Sequence, residues 1–220
     1  GLPSFIRQGF ASAATVLLNR QASLYGDSAI AGMSIVLRIV MFIFVIMLGF
    51  GQGYQPVVGY NYGAKIYDRV KQAFVFSLKV GMAIMAFFAI IGFITAPYIM
   101  AFFLPDDPLV IEIGSLAFRA QCIAMLFMPF STIANMTFQS IGKSWTATFL
   151  SSLRQGIFFL PLIILLPSYI GLAGVQFTQA ISDFLTFLVC VPFVAVFFKK
   201  LKKRELYEPK DEVQLEALPE

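Results

Sequence analysis

Most of the charge in this chain falls in a few clusters. Between them run apolar stretches about 20 residues long, the length an α-helix needs to cross a hydrocarbon core of about 30 Å. In such a core every backbone N–H and C=O must be satisfied internally, so the choice is between helices and a closed barrel. Barrel strands are about 10 residues long and alternate with period two; these runs are longer and do not alternate. The expected fold is therefore all-α, a polytopic membrane protein built as a six-transmembrane-helix bundle. Composition agrees: the chain is 59% hydrophobic and 13% charged, against roughly 45–50% and 25% in soluble domains.

The pattern predicts spans over Ser4–Tyr25, Ala29–Gln55, Ala73–Phe103, Ile111–Ser140, Trp145–Leu166 and Leu172–Phe198. Turns fall at Gly26-Asp27-Ser28, Lys65–Lys71, Pro105-Asp106-Asp107-Pro108, Ile141–Ser144 and Pro167–Gly171. The domain reading is a lobe over residues 1–198 and a disordered cytoplasmic tail over 199–220, basic first and then acidic. Lys65, Arg69, Lys71, Lys143, Lys199, Lys200, Lys202, Lys203 and Arg204 share one side of this topology. Asp27, Asp106, Asp107 and Glu112 share the other. Positive residues stay inside, which places both termini in the cytoplasm.

Net charge is a modest +4, which does not indicate nucleic acid. With no histidine, His-based catalysis and His metal sites are excluded. Cys122 and Cys190 both fall in apolar runs, as packing residues do. No nucleophile–base arrangement and no paired acids suggest an enzyme, and neither a metal nor a cofactor is expected. The chain opens at Gly1 in apolar sequence, as expected for the interior of a longer protein.

One stretch stands apart. Gly49–Lys65, GFGQGYQPVVGYNYGAK, holds five glycines, one proline and three tyrosines. Glycine permits close backbone approach, and Pro56 removes a helical N–H. The expectation is a helix loosened at Gly53, Pro56 and Gly59, with carbonyls turned to a ligand or water beside Gln52 and Gln55; the alternative is a helix end followed by a turn. Pro129 is a second expected hinge, beside Met125, Phe127, Met128 and Phe130. Soft and aromatic side chains of that kind suit varied apolar cations, and they are also ordinary membrane-helix packing.

Ionisable groups at bilayer depth are costly and therefore functional candidates. Arg38, Arg154 and Asp183 lie about ten, nine and eleven residues into their spans, which at about 1.5 Å per residue brings them to one mid-membrane level. An Arg154–Asp183 pair on sequential antiparallel helices is the simplest arrangement. It would either lock packing or place Asp183 to exchange protons or bind a cation. Arg7, Arg20, Lys79 and Arg119 lie nearer span ends, where snorkelling serves them. Helical spacing puts Gln8 and Ser12 on one face, and Ser131, Asn135 and Gln139 on another. These stripes would line a cleft or hydrogen-bond between helices.

Gly49, Gly51, Gly53, Pro56, Gly59, Asn61, Gly63, Ala64 and Lys65 stand as in the second helix and following loop of a lobe of the multidrug and toxic compound extrusion (MATE) family, which this stretch resembles. Gly1-Leu2-Pro3-Ser4, Phe138–Lys143, and Ser152-Leu153-Arg154-Gln155 with Pro161, Pro167 and Gly171–Gly174 resemble further parts of the same lobe, and Asp183 sits in a matching context. The resemblance covers about residues 1–200 and is to the bacterial drug-exporter type. It implies the C-terminal six-helix lobe of a twelve-helix, V-shaped transporter in the bacterial inner membrane. By alternating access, such a transporter would export organic-cation drugs in exchange for H⁺ or Na⁺. The partner would be an N-terminal six-helix lobe, or a second copy of this chain. One branch of the family carries carboxylates in the first and fourth helices of this lobe; the corresponding positions fall near Ala11 and Phe130, with no acid nearby. Any coupling carboxylate here would then be Asp183.

Two other readings stay open. A lipid-linked-sugar or polysaccharide exporter shares the lobe but needs a cationic cleft, which Arg7, Arg20, Arg38, Arg119 and Arg154 would have to supply. A non-transporting structural subunit is the other.

Overall fold

The computed structural model describes residues 2–207, with side chains described over 8–203. Eight α-helices and one π-helical turn make up the described chain: α1 (Leu2–Ser23), α2 (Asp27–Gly63), α3 (Tyr67–Phe103), α4 (Pro108–Met125), α5 (Met128–Ser140), α6 (Ser144–Ser152), the π turn (Leu153–Ile157), α7 (Phe159–Ile170) and α8 (Leu172–Tyr207). They fall into the six expected segments. α4 and α5 together form the fourth, and α6, the π turn and α7 form the fifth.

Five of these segments hold a stretch long and apolar enough to cross a membrane: Asp27–Gly63, Tyr67–Phe103, Pro108–Met125, Ser144–Ile170 and Leu172–Lys203. α1 matches them in length with 22 residues, but Gln8, Ser12, Thr15, Asn19, Arg20 and Gln21 reduce its apolar content. It packs against α2, α6, the π turn and α7. α2 runs between α3, α4 and α5, while α8 closes the bundle against α4, α5 and α7.

The breaks have local causes. Pro129, in the first turn of α5, has no N–H for the Met125 carbonyl, and the fourth segment is interrupted at Leu126–Phe127. α4 begins at Pro108 under an Asp107 cap, whose carboxylate accepts from the Leu109 and Val110 amides at 3.0 and 3.2 Å. The Ser28 hydroxyl donates to the same carboxylate at 2.8 Å and ties the start of α2 to the start of α4. Between α7 and α8 the chain turns at Gly171, whose φ of 63° favours glycine.

The Gly-rich stretch differs from expectation. α2 continues as helix through Gly53, Pro56 and Gly59 to Gly63, with no break at the expected hinge. Packing supplies the reason. A Cβ built at Gly51 would lie 2.1 Å from Met136 Sδ, and one at Gly59 would lie 3.5 Å from the Ser140 carbonyl oxygen. The buried Tyr54 and Thr137 hydroxyls are 2.7 Å apart. Small residues here let α2 lie close against α5, which holds the helix through its proline. At the far end, α8 outruns the expected boundary at Phe198 and carries Lys199, Lys200, Lys202 and Lys203 on helix as far as Tyr207. Lysine is a good helix former and suits a helix C-terminus. Residues 208–220 of the expected tail lie outside the described residues.

Candidate functional site

Asp183 sits in α8 with 1% of its side chain exposed, and Arg154 sits in the π turn with 19% exposed. The Arg154 Nε–H donates to Asp183 Oδ1 at 2.6 Å. Gln179, one turn earlier on α8, donates its amide to the same oxygen at 3.0 Å. Gln121 of α4 donates to Oδ2 at 2.6 Å. The carboxylate thus receives donors from three elements, the arrangement a buried charge requires. The Arg154 guanidinium lies over the Phe44 ring of α2, with 4.4 Å from its carbon to the ring centroid. The Ser182 hydroxyl donates to the Arg154 backbone carbonyl.

The π turn belongs to this arrangement. Phe158 N–H donates to the Leu153 carbonyl, five residues back, at 3.0 Å, so the Arg154 carbonyl loses its usual donor four residues on. Ser182 supplies another.

Arg38 does not join the pair. It is exposed on α2, and the shared mid-membrane level does not bring it to Asp183. Arg119 bonds the Phe93 carbonyl at 3.2 Å and lies over the Phe93 ring. The side chain of Arg7 lies outside those described.

The second group of candidates divides between surface and core. Gln55 donates to Gln139 at 3.0 Å, which joins α2 and α5 at an exposed point, and Gln52 is exposed one turn away. Gln8 is exposed on α1. One expectation needs correction. Met128 is 4% exposed and fills the core where α5 meets α3 and α8, so it does not line an accessible pocket, while Pro129, the expected hinge, is buried beside it just after the break in the fourth segment. Asn135 is half-buried and spends its amide on the Ala147 carbonyl of α6, because the polar stripe of α5 turns partly inward toward α6.

Gln8, Ser12, Thr15, Asn19 and Ser23 are all exposed on α1. At 100° per residue they fall within an arc of about 80°. Thr15 and Ser23 bond carbonyls of their own helix, Ala11 and Arg20, at 3.0 and 2.7 Å. The helix therefore presents a continuous polar face on the outside of the bundle. The sequence reading had Gln8 and Ser12 on one face but missed Thr15 and Ser23, although the three- and four-residue steps were there to extend. Gln121, Gln179 and Ser182 were missed too. The four-residue step from Gln179 to Asp183 was a usable signal, whereas Gln121 approaches only through the fold.

Among the described residues no three His, Cys, Asp or Glu side chains gather as a metal site.

The MatE family model matches residues 3–165. Among curated proteins the chain is similar to the "Multidrug export protein MepA" of Staphylococcus aureus, with 24% identity over 204 residues, 91% of this chain and 44% of that protein. It is also similar to the protein of that name from Staphylococcus saprophyticus, with 24% identity over 213 residues, 94% of this chain and 46% of that protein. Among solved structures it resembles the inward-facing conformation of a multidrug resistance MATE family transporter of the MOP superfamily, with a TM-score of 0.86, 23% identity, and coverage of 93% of this chain and 48% of that one. The chain spans about half the length of the curated relatives it matches. A family match over most of the chain, together with the same helical fold, shows that it belongs to the MatE family, the multidrug and toxic compound extrusion transporters.

Proposed function

We propose that this chain is one lobe, the C-terminal one, of a secondary active transporter that exports organic-cation drugs in exchange for H⁺ or Na⁺. The observation that carries this reading is the polar outer face of α1, formed by Gln8, Ser12, Thr15, Asn19 and Ser23. Polar side chains on the outside of a membrane bundle are unfavourable against lipid and favourable against protein or a water-filled cavity. A partner lobe across an aqueous cleft supplies both. The chain's half-length coverage of proteins named for multidrug export supports the same arrangement.

In this reading Gln8, Gln52, Gln55 and Gln139 meet substrate along the cleft. Asp183 and Arg154 form the charged centre of the lobe, and Asp183 is its candidate coupling carboxylate. The Lys-rich ends face the bacterial cytoplasm.

The test is ethidium efflux from vesicles that hold this lobe with its partner, driven by an imposed proton or sodium gradient. Efflux that depends on one gradient is expected. Absence of efflux under both gradients, with the protein present and folded, would overturn the reading; preferential binding of a lipid-linked pyrophosphate would replace it with the sugar-exporter alternative. Asp183→Asn at matched expression then places the charged centre. Loss of efflux in a folded variant makes Asp183 a coupling or substrate residue, and intact efflux makes the pair a packing element.

A further inference from the structure

Arg154 is gripped twice by neighbouring residues of α8. Asp183 takes its side chain at 2.6 Å, and the Ser182 hydroxyl takes its backbone carbonyl. The second contact matters because of where it falls. In an α-helical register Phe158 N–H would donate to the Arg154 carbonyl. Here it donates to Leu153 at 3.0 Å instead. The π turn strips one carbonyl of its helical donor inside a membrane segment, where an orphan acceptor is costly, and Ser182 is the group that satisfies it.

The register also sets what lies just downstream. A Cβ built at Gly156 would meet the Phe10 ring of α1 at 2.8 Å, so that ring packs directly on the backbone of the π turn. A change of register by one residue at Arg154 rotates the chain that follows it by about 100°, which would carry Gly156, two residues on, away from Phe10. The same turn thus aims Arg154 at Asp183 and seats the helix that bears the polar outer face.

We infer that Ser182 is a positioning residue: its hydroxyl holds the fifth segment in π register at Arg154 and, through Gly156 and Phe10, fixes the seat of α1. Its part in transport rests on the reading of α1 as a cleft helix. The register itself does not.

The two are tested separately. A Phe10→Cys/Gly156→Cys pair, in a full transporter lacking Cys122 and Cys190, reports the contact by oxidative cross-linking, since the two positions lie within disulfide reach in π register. Ser182→Thr keeps the hydroxyl and should cross-link like the parent. Ser182→Ala should cross-link more slowly and less completely, because loss of one hydrogen bond shifts the ratio of contact to open forms about fivefold toward the open form. Equal yield in the alanine variant overturns the inference. Cross-linking can be read in isolated membranes, so Ser182→Val against Ser182→Thr, nearly equal in size and different in the hydroxyl, gives the same comparison should Ser182→Ala prove too unstable to purify. Ethidium efflux is measured alongside. Reduced cross-linking with reduced efflux, both restored in Ser182→Thr, supports the whole inference. Reduced cross-linking with unchanged efflux leaves the clamp standing and removes it from transport.

Discussion

Arg154 Nε and Asp183 Oδ1 are 2.6 Å apart, and the two side chains differ in exposure, 19% for the arginine against 1% for the aspartate. That asymmetry makes the two halves of the pair unequal when one is removed. Arg154→Gln leaves a carboxylate out of reach of solvent with amide donors only. Asp183→Asn leaves an arginine that still touches the surface and still lies over Phe44. Breaking a buried pair from one side costs about 3–5 kcal/mol. Thermal unfolding in detergent should therefore show Arg154→Gln as the more destabilised variant, by an amount in that range, and the double variant should recover part of the loss. Additive single effects in the double-mutant cycle would mean that the pair does not act as a unit.

Glycine contacts yield a graded prediction. A Cβ at Gly174 would sit 2.4 Å from the Leu166 carbonyl carbon and from Pro167 N, backbone atoms at the α7–α8 corner that cannot move aside. At Gly51 the obstacle is the Met136 thioether, the flexible end of a side chain. At Gly53 nothing lies within 4 Å. Gly174→Ala should fail to fold or lose more than the ~1–3 kcal/mol typical of overpacking. Gly51→Ala should lose less than that variant, and Gly53→Ala should be neutral or gain up to ~1 kcal/mol from helix propensity. Unfolding temperatures of the three variants give the order directly. A Gly53→Ala variant with intact stability but impaired efflux would show that Gly53 serves motion, which the continuous helix does not require.

Much of this architecture is readable from residue order, because bilayer chemistry restricts the options so severely. Six segments, their turns, and the pairing of Arg154 with Asp183 follow from run length, charge position and depth along each helix. What does not follow is which contacts a glycine or proline makes. Gly53, Pro56 and Gly59 read as points where the helix loosens, yet Met136 and Thr137 of α5 pack against that stretch and the helix passes through. Met128 reads as a pocket residue and lies in the core, because the break before α5 turns it inward. Gln121 is 62 residues from Asp183 in sequence, and no local pattern brings the two together. The π turn has no motif of its own; it becomes visible only when Ser182 is seen on the Arg154 carbonyl.

Outside the membrane-spanning segments, Asp107 makes α4 sensitive to acid. The Ser28 hydroxyl and then the Val110 amide hold its carboxyl below the ordinary carboxylate range; desolvation opposes them, and the Leu109 amide adds a lesser pull downward. A folded-state value below the unfolded one favours folding while the carboxylate is charged in both states. That contribution is present above about pH 4, the ordinary aspartate range, and is lost as pH falls through the depressed value. The acid limb of a stability–pH profile should therefore flatten in Asp107→Asn, which keeps a capping oxygen without the titration. Asp107→Ala should lower stability at neutral pH as well, because it removes both the cap and the tie to Ser28. An unchanged acid limb in Asp107→Asn would assign the acid sensitivity to other carboxylates.

The polar face of α1 predicts where water reaches. Ser12 lies midway along α1 on that face, while Ile94 lies on α3, 65% exposed and among exposed apolar neighbours such as Ile90 and Ile91. Both are accessible on this lobe, yet they face different media if α1 borders a cleft and α3 borders lipid. In a background without Cys122 and Cys190, Ser12→Cys should react with a charged, membrane-impermeant thiol reagent, and Ile94→Cys should not, since the thiolate that reacts does not form in hydrocarbon. Substrate added beforehand should slow labelling at Ser12→Cys and leave Ile94→Cys as it was. Labelling at both positions would place α3 against water as well. Labelling at neither would mean that the α1 face is sealed against protein, and its serines, threonine, asparagine and glutamine would then be hydrogen-bonding partners across a dry interface between lobes.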